Sequence, residues 1–246
     1  MTDAAPVAQF AGMFTVLRRR FIYSVGAVLA GAIVGWIFSG DLLRIMQLPF
    51  AKVMGEGRYL VFTAPHEGFV AHLTIGLVAG VIIASPYLFL QIWWLFAPVF
   101  YRKQRRMFML LAMLSAITFV LGALFGYFGI LPAAIDFLVK GFEQRAPFEA
   151  FLKVRSFLGF AIKLLLVFGL AFELPMLMFI LGRLGLVSAR SLWKGFRYAM
   201  VIILIGAALF TPPDVLTQVM LAGPLCLLYL VGVGAVALFG KRKTQA

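Results

Sequence analysis

Six long apolar runs dominate the pattern along the chain, at roughly 21–38, 71–96, 107–131, 157–181, 197–211 and 215–239. Most reach the length of about 17 residues or more that an apolar helix needs to cross a bilayer. The pattern predicts an all-α, polytopic membrane protein: one transmembrane domain over residues 1–246, with six spans. Two polar stretches, 39–70 and 132–156, follow the first and third runs, whereas the other connections are short and basic. The fifth run is short. Residues 197–211 make only about 22 Å of helix, against about 30 Å of hydrocarbon. The segment Thr211-Pro212-Pro213-Asp214 then forces a tight turn, because prolines cannot continue a helix. Such a hairpin would thin the bilayer or be shielded by other helices.

Charge gives the runs a direction. Of 22 Lys and Arg residues, fourteen fall on one side, in clusters such as Arg18–Arg20 and around Arg105 and Arg190, and seven on the other; Lys163 lies inside a span. Seven of the nine acids, among them Asp41, Glu67, Asp136 and Asp214, belong to the less basic side. The positive-inside rule therefore predicts both termini in the cytoplasm.

Composition narrows the class further. Hydrophobic residues make up 63% and charged residues 13%, far from the balance of a water-soluble domain. The net charge of +13 does not imply nucleic acid, because the basic residues form short clusters between apolar runs and suit anionic phospholipid headgroups. A single cysteine, Cys226, excludes an intramolecular disulfide and a thiolate cluster. His66 and His72 have no ligand partners at metal spacing, so neither metal nor cofactor is expected. No Walker motif, nucleophile elbow, H-E-x-x-H or paired carboxylates appear, so no hydrolytic enzyme is indicated.

A few residues break the apolar pattern. Glu173, well inside the fourth run, is costly there and reads as a functional carboxylate or as a protonated acid bonded to a neighbouring helix. Gln91 in the second run is a candidate polar neighbour. Lys163 fits a side chain snorkelling to the interface. Gly31-x-x-x-Gly35, Gly76-x-x-x-Gly80 and Gly122-x-x-x-Gly126 place small residues one turn apart for close helix packing, and leave self-association open. Arg19-Arg20-Phe21-Ile22 before an apolar run has the look of an export signal, but the run is about 18 residues long and no A-x-A site lies between its end and Asp41, so a retained span is expected.

Several strings resemble the TatC family of the twin-arginine protein translocase. Leu17-Arg18-Arg19-Arg20-Phe21 resembles that family's Leu-Arg-x-Arg-hydrophobic segment, and Pro49 falls where the family has a proline in its first periplasmic segment. Ser85-Pro86, Gln91, Trp93, Ala97-Pro98, Tyr101 and Arg105-Arg106 match the end of the second span and the loop after it. Gly122-Ala123, Phe125, Tyr127, Pro132, the segment from Phe168 to Pro175, and Thr211-Pro212-Pro213-Asp214-Val215 with Gln218 match later regions. The likeness runs over about residues 10–239.

The resemblance implies a concave, glove-like bundle in the bacterial inner membrane that receives the twin-arginine signal peptides of folded cargo on its cytoplasmic face. It places signal-peptide contacts at Thr15, Val16, Leu17, Arg18, Arg20, Leu95, Gln104 and Arg105. Contacts with TatA- and TatB-type single-span partners fall at Gln91, Glu173, Thr211, Pro213, Asp214 and Gln218, and periplasmic structural roles at Pro49 and Glu67. One departure stands out. The family commonly has acids just before Leu-Arg-x-Arg and in the basic loop after the second span, where this chain has Thr15-Val16 and Gln104. Carboxylates are the natural bidentate partners of a guanidinium. Two alternatives stay open at this point: a paralogue that keeps the scaffold without receptor activity, and a small-molecule transporter, although no inverted repeat is apparent.

Overall fold

The computed structural model describes residues 4–55, 60–95, 105–140, 152–210 and 215–240, and these are almost entirely helical, with no strand among them. The first helix, α1 (Ala4–Ile37), is followed by α2 (Ser39–Met54), α3 (Glu67–Leu95) and α4 (Arg105–Phe125). A π-turn at Gly126–Ile130 leads into α5 (Leu131–Ile135) and a second π-turn at Asp136–Lys140. The chain continues with α6 (Val154–Ala171), α7 (Glu173–Arg183), α8 (Ala189–Phe210) and α9 (Val215–Phe239). Six stretches among the described residues are long and apolar enough to span a bilayer: Thr15–Ile37, Glu67–Trp94, Met109–Val139, Val154–Arg183, Ala189–Phe210 and Thr217–Phe239. Large apolar side chains such as Ile33, Leu110, Ile202 and Leu238 face outward, as lipid contact requires and water does not permit on this scale.

Two expectations need correction, and one polar stretch holds a helix of its own. The polar stretch 39–70 opens with a helix, α2, with Asp41 in its first turn and Lys52 in its last, which suits the helix dipole. The third span does not stop at Pro132 but runs to Val139. A proline inside a helix lacks a donor and clashes with the carbonyl four residues back; here the π-turn just before Pro132 opens the backbone at that place. The fifth helix is not short. It has 22 residues, or about 33 Å, because it begins at Ala189 and includes Arg190, Lys194 and Arg197. The Ser188 hydroxyl accepts the Ser191 N–H at 3.2 Å and caps this helix, a signal visible in the sequence but outweighed by the basic residues.

The chain divides into two compact units. In the first, Met1–Leu43 with Phe69–Ala116, the glycines of α1 and α3 interlock. A Cβ on Gly31 would stand 2.8 Å from the Gly80 carbonyl oxygen, and one on Gly35 2.6 Å from that of Gly76. Only hydrogen allows backbones this close, and in lipid such packing, not a hydrophobic driving force, holds helices together. Pro86 removes the N–H that would bond the Ile82 carbonyl, and the buried Ser85 hydroxyl donates to that carbonyl instead, at 2.7 Å. The buried Trp93 indole donates to Ser115 at 3.1 Å, and Ser39 pairs with His72 at 2.8 Å.

The second unit comprises Arg44–Gly68 and Ile117–Ala246. Pro49 lies inside α2, and its missing N–H frees the Ile45 carbonyl, which takes the Tyr127 hydroxyl as donor at 2.5 Å. The fourth span breaks at Phe172 into α6 and α7, so that Pro175 sits in a first turn, where its lost donor costs little. A Schellman motif closes α7: Leu186 N–H donates to the Leu181 carbonyl and Gly185 N–H to that of Gly182, with Gly185 at φ +75°. The last helix, α9, packs along α7 and α8 around buried Met178, Val233 and Val236.

Candidate functional site

The first unit contains a cavity of about 770 Å³ lined by Leu17, Arg18, Arg20, Phe21, Ser24, Leu88, Gln91 and Ile92. Helix periodicity explains the α1 side of it, because Leu17, Arg20, Phe21 and Ser24 recur at three- and four-residue intervals and share a face. Arg20 is anchored: its guanidinium donates to the Gln91 carbonyl at 3.3 Å and lies 5.5 Å from the centre of the Trp94 ring. Gln91 is one turn from the end of α3, where helix carbonyls and the dipole favour a cation. Arg19 turns to its own helix, donating to the Tyr23 hydroxyl at 3.3 Å. Arg18 is exposed at the cavity, with no hydrogen bond or ion pair among the described residues. The wall is otherwise mostly apolar, and no acid occurs between residues 4 and 40 or between 68 and 135.

Five of the expected signal-peptide contacts are thereby placed near one another, together with Gln91, which was expected among the partner contacts. Leu17, Arg18, Arg20 and Gln91 line the cavity, and the side chains of Thr15 and Val16 are exposed in the preceding turn of α1. The Gln91 amide donates to the Tyr87 hydroxyl at 2.6 Å. Leu95 and Arg105 belong to α3 and α4, but their side chains, like all of Gln104, Thr211, Pro213 and Asp214, lie outside the described residues. The residues that sequence reasoning missed here are Leu88, Ile92 and Trp94, which look like ordinary span residues until α3 is set beside α1.

The second unit holds the intramembrane carboxylate. Glu173 is half-buried in the first turn of α7, and its Oε1 accepts the Thr118 hydroxyl at 2.6 Å. Thr118 was legible as a lone polar residue in an apolar run, yet nothing in sequence pairs it with a residue fifty-five positions away. Its hydroxyl gives Glu173 a polar partner at a depth where an unbonded carboxyl is costly. In the last hairpin the Gln218 amide donates to the Leu204 carbonyl at 2.9 Å, tying α9 to α8. Near the start of α3, buried Glu67 accepts both the N–H (2.9 Å) and the hydroxyl (2.6 Å) of Thr63. Glu67 thus has a local partner, whereas Pro49 acts through the Ile45 carbonyl that it leaves to Tyr127.

Comparison with known proteins agrees with these features. The family described as "Sec-independent protein translocase protein (TatC)" matches residues 13–224. A protein of that name from Desulforapulum autotrophicum is 40% identical over 227 residues, 92% of this chain and 83% of the relative. One from Aquifex aeolicus is 35% identical over 232 residues, 93% of this chain and 95% of the relative. Among solved structures, one described as "Crystal Structure of Twin Arginine Translocase Receptor- TatC" superimposes with a TM-score of 0.81 at 35% identity, covering 91% of this chain and 97% of that one. The chain belongs to the TatC family, the multi-pass membrane subunit of the Sec-independent, twin-arginine protein translocase.

Proposed function

We propose that the cavity beside Arg18 is where this translocase subunit receives the signal peptide of a folded cargo, at the cytoplasmic face of the bacterial inner membrane. The observation that carries this reading is the position of the family's Leu-Arg-x-Arg segment, whose Leu17, Arg18 and Arg20 border an apolar cavity large enough for several side chains. An apolar run of the peptide would leave water there, and each buried methylene would contribute about 0.8 kcal/mol. The distribution of basic residues supports both termini in the cytoplasm. Glu173 and Gln218, with the Thr211–Asp214 segment that the family resemblance adds, are the contacts for TatA- and TatB-type single-span partners, where a polar group in a partner helix would find a hydrogen bond at depth.

The charges limit how well this chain binds a peptide alone. A twin-arginine segment approaching Arg18 and Arg105 meets like charge, at a cost of a few tenths to about 1 kcal/mol per exposed contact, mirroring the worth of surface pairs. About 1.4 kcal/mol is tenfold in affinity, so two such contacts weaken binding by about twofold to thirtyfold. The test is the affinity of a labelled signal peptide and its Lys-Lys counterpart for the purified chain in nanodiscs. Weak binding is expected, and Val16→Glu with Gln104→Glu should tighten it about tenfold at low salt and less at high salt. Tight, Arg-specific binding by the unmodified chain would refute the charge argument. No binding by the acid-restored variant would refute the cavity as the receptor site.

A further inference from the structure

The same cavity carries a property independent of any peptide. Its wall is largely apolar, its rim holds an arginine without a partner among the described residues, and no acid lies between residues 4 and 40 or between 68 and 135. Arg20 is already occupied by the Gln91 carbonyl and the Trp94 ring, which leaves Arg18 as the cation in need of an anion. Trp94 and Tyr23, whose amphipathic rings favour the headgroup level, flank this end of the unit.

We propose that in its resting state this cavity holds one acyl chain of an anionic phospholipid, with the lipid phosphate paired to Arg18. A guanidinium forms strong, charge-assisted hydrogen bonds to phosphate, and no carboxylate here competes for it. The cavity's volume of about 770 Å³ exceeds the need of one chain, and besides Arg18 its wall offers only Arg20, already bonded to the Gln91 carbonyl, and the side chains of Ser24 and Gln91 as polar groups. The amide of Gln91 is already bonded to Tyr87. A cationic peptide is the wrong charge for this rim, whereas an anionic amphiphile matches both parts. The proposal goes beyond peptide reception and stands whether or not a signal peptide binds here.

The test is native mass spectrometry of the full-length chain released from detergent, titrated with phosphatidylglycerol or phosphatidylcholine of identical acyl chains. The expected result is one phosphatidylglycerol bound about fivefold more tightly than phosphatidylcholine, the preference a single interfacial arginine confers. Arg18→Gln should abolish that preference and Arg18→Lys should keep most of it, while Arg190→Gln on α8 leaves it unchanged. Ile92→Trp, which fills the cavity, should weaken both lipids. Equal affinity for the two headgroups would overturn the proposal, as would a preference that survives Arg18→Gln. Glycerol phosphate should not compete at concentrations where the lipid is bound; if it does, a chain-free anion suffices and the lipid assignment fails.

Discussion

Alanine at Gly80 should loosen the α1–α3 pair more than alanine at any other glycine of that seam. A Cβ there would lie 2.5 Å from the Ala32 nitrogen and 2.7 Å from the Val28 carbonyl oxygen, both backbone atoms that cannot rotate away. Relieving such contacts means moving the helices apart by a good part of an ångström, and overpacking of this kind costs about 1–3 kcal/mol. Alanine gains up to about 1 kcal/mol over glycine in helix propensity, so the net loss is smaller than the clash. Gly26 is the internal control: it lies on α1, the other helix of the pair, with nothing within 4 Å of its Cβ position, and Gly26→Ala should be neutral or stabilising. The nearest approaches at Gly35, Gly31 and Gly76 are 2.6, 2.8 and 3.1 Å, which sets the expected order of damage as Gly80, Gly35, Gly31, Gly76. The assay is equilibrium unfolding of each purified variant in mixed micelles. If Gly80→Ala unfolds no earlier than Gly26→Ala, or if Gly76→Ala is the worst of the four, the seam is not as close as described.

Glu173→Ala should lower co-purification of single-span partners while the chain still inserts, with Glu173→Gln intermediate because an amide keeps a hydrogen bond; equal recovery from wild type and alanine would leave the residue a structural one. Thr118→Val should reduce stability by about 0.6 kcal/mol and at most about 1.7, the range for hydrogen bonds between membrane helices, and a double-mutant cycle with Glu173→Gln reads the coupling directly. For topology, Lys52→Cys and Leu186→Cys in a Cys226→Ala background should respond oppositely to an impermeant thiol reagent in intact cells. Labelling of residue 52 alone agrees with cytoplasmic termini, and labelling of residue 186 alone overturns them.

Much of the fold was legible because long apolar runs have few fates. The last helix matches its expected bounds, 215–239, and the glycine spacings in α1 and α3 do mark a close crossing. What misled was charge and polarity. Arg190, Lys194 and Arg197 truncated a helix whose backbone has no reason to stop at them, since basic residues at spacings of four and three are good helix formers on one face. The third run was bounded at 131, where the polar stretch begins, although π-geometry carries the helix past Pro132. The candidate site was legible in part: Leu17, Arg18 and Arg20 were named for it and line one cavity, whereas Gln91, which lines it too, was named for the partner site. Thr118 beside Glu173 and Tyr127 beside the carbonyl freed by Pro49 were not, because hydrogen bonds across fifty-five and eighty-two positions leave no local trace.

The glycine seam also acts as a fulcrum for the basic end of α1. Gly31 and Gly35 are about 6 Å apart along the axis, whereas Arg18 stands about 20 Å beyond Gly31 on the same unbroken helix. A widening of about 0.7 Å at Gly35, pivoted on Gly31, would therefore swing Arg18 by about 2 Å by rigid geometry at that rise per residue. That displacement is comparable to the difference between a hydrogen bond and no contact. The reach of the guanidinium is thus set by two hydrogens on glycine Cα atoms deep in the membrane.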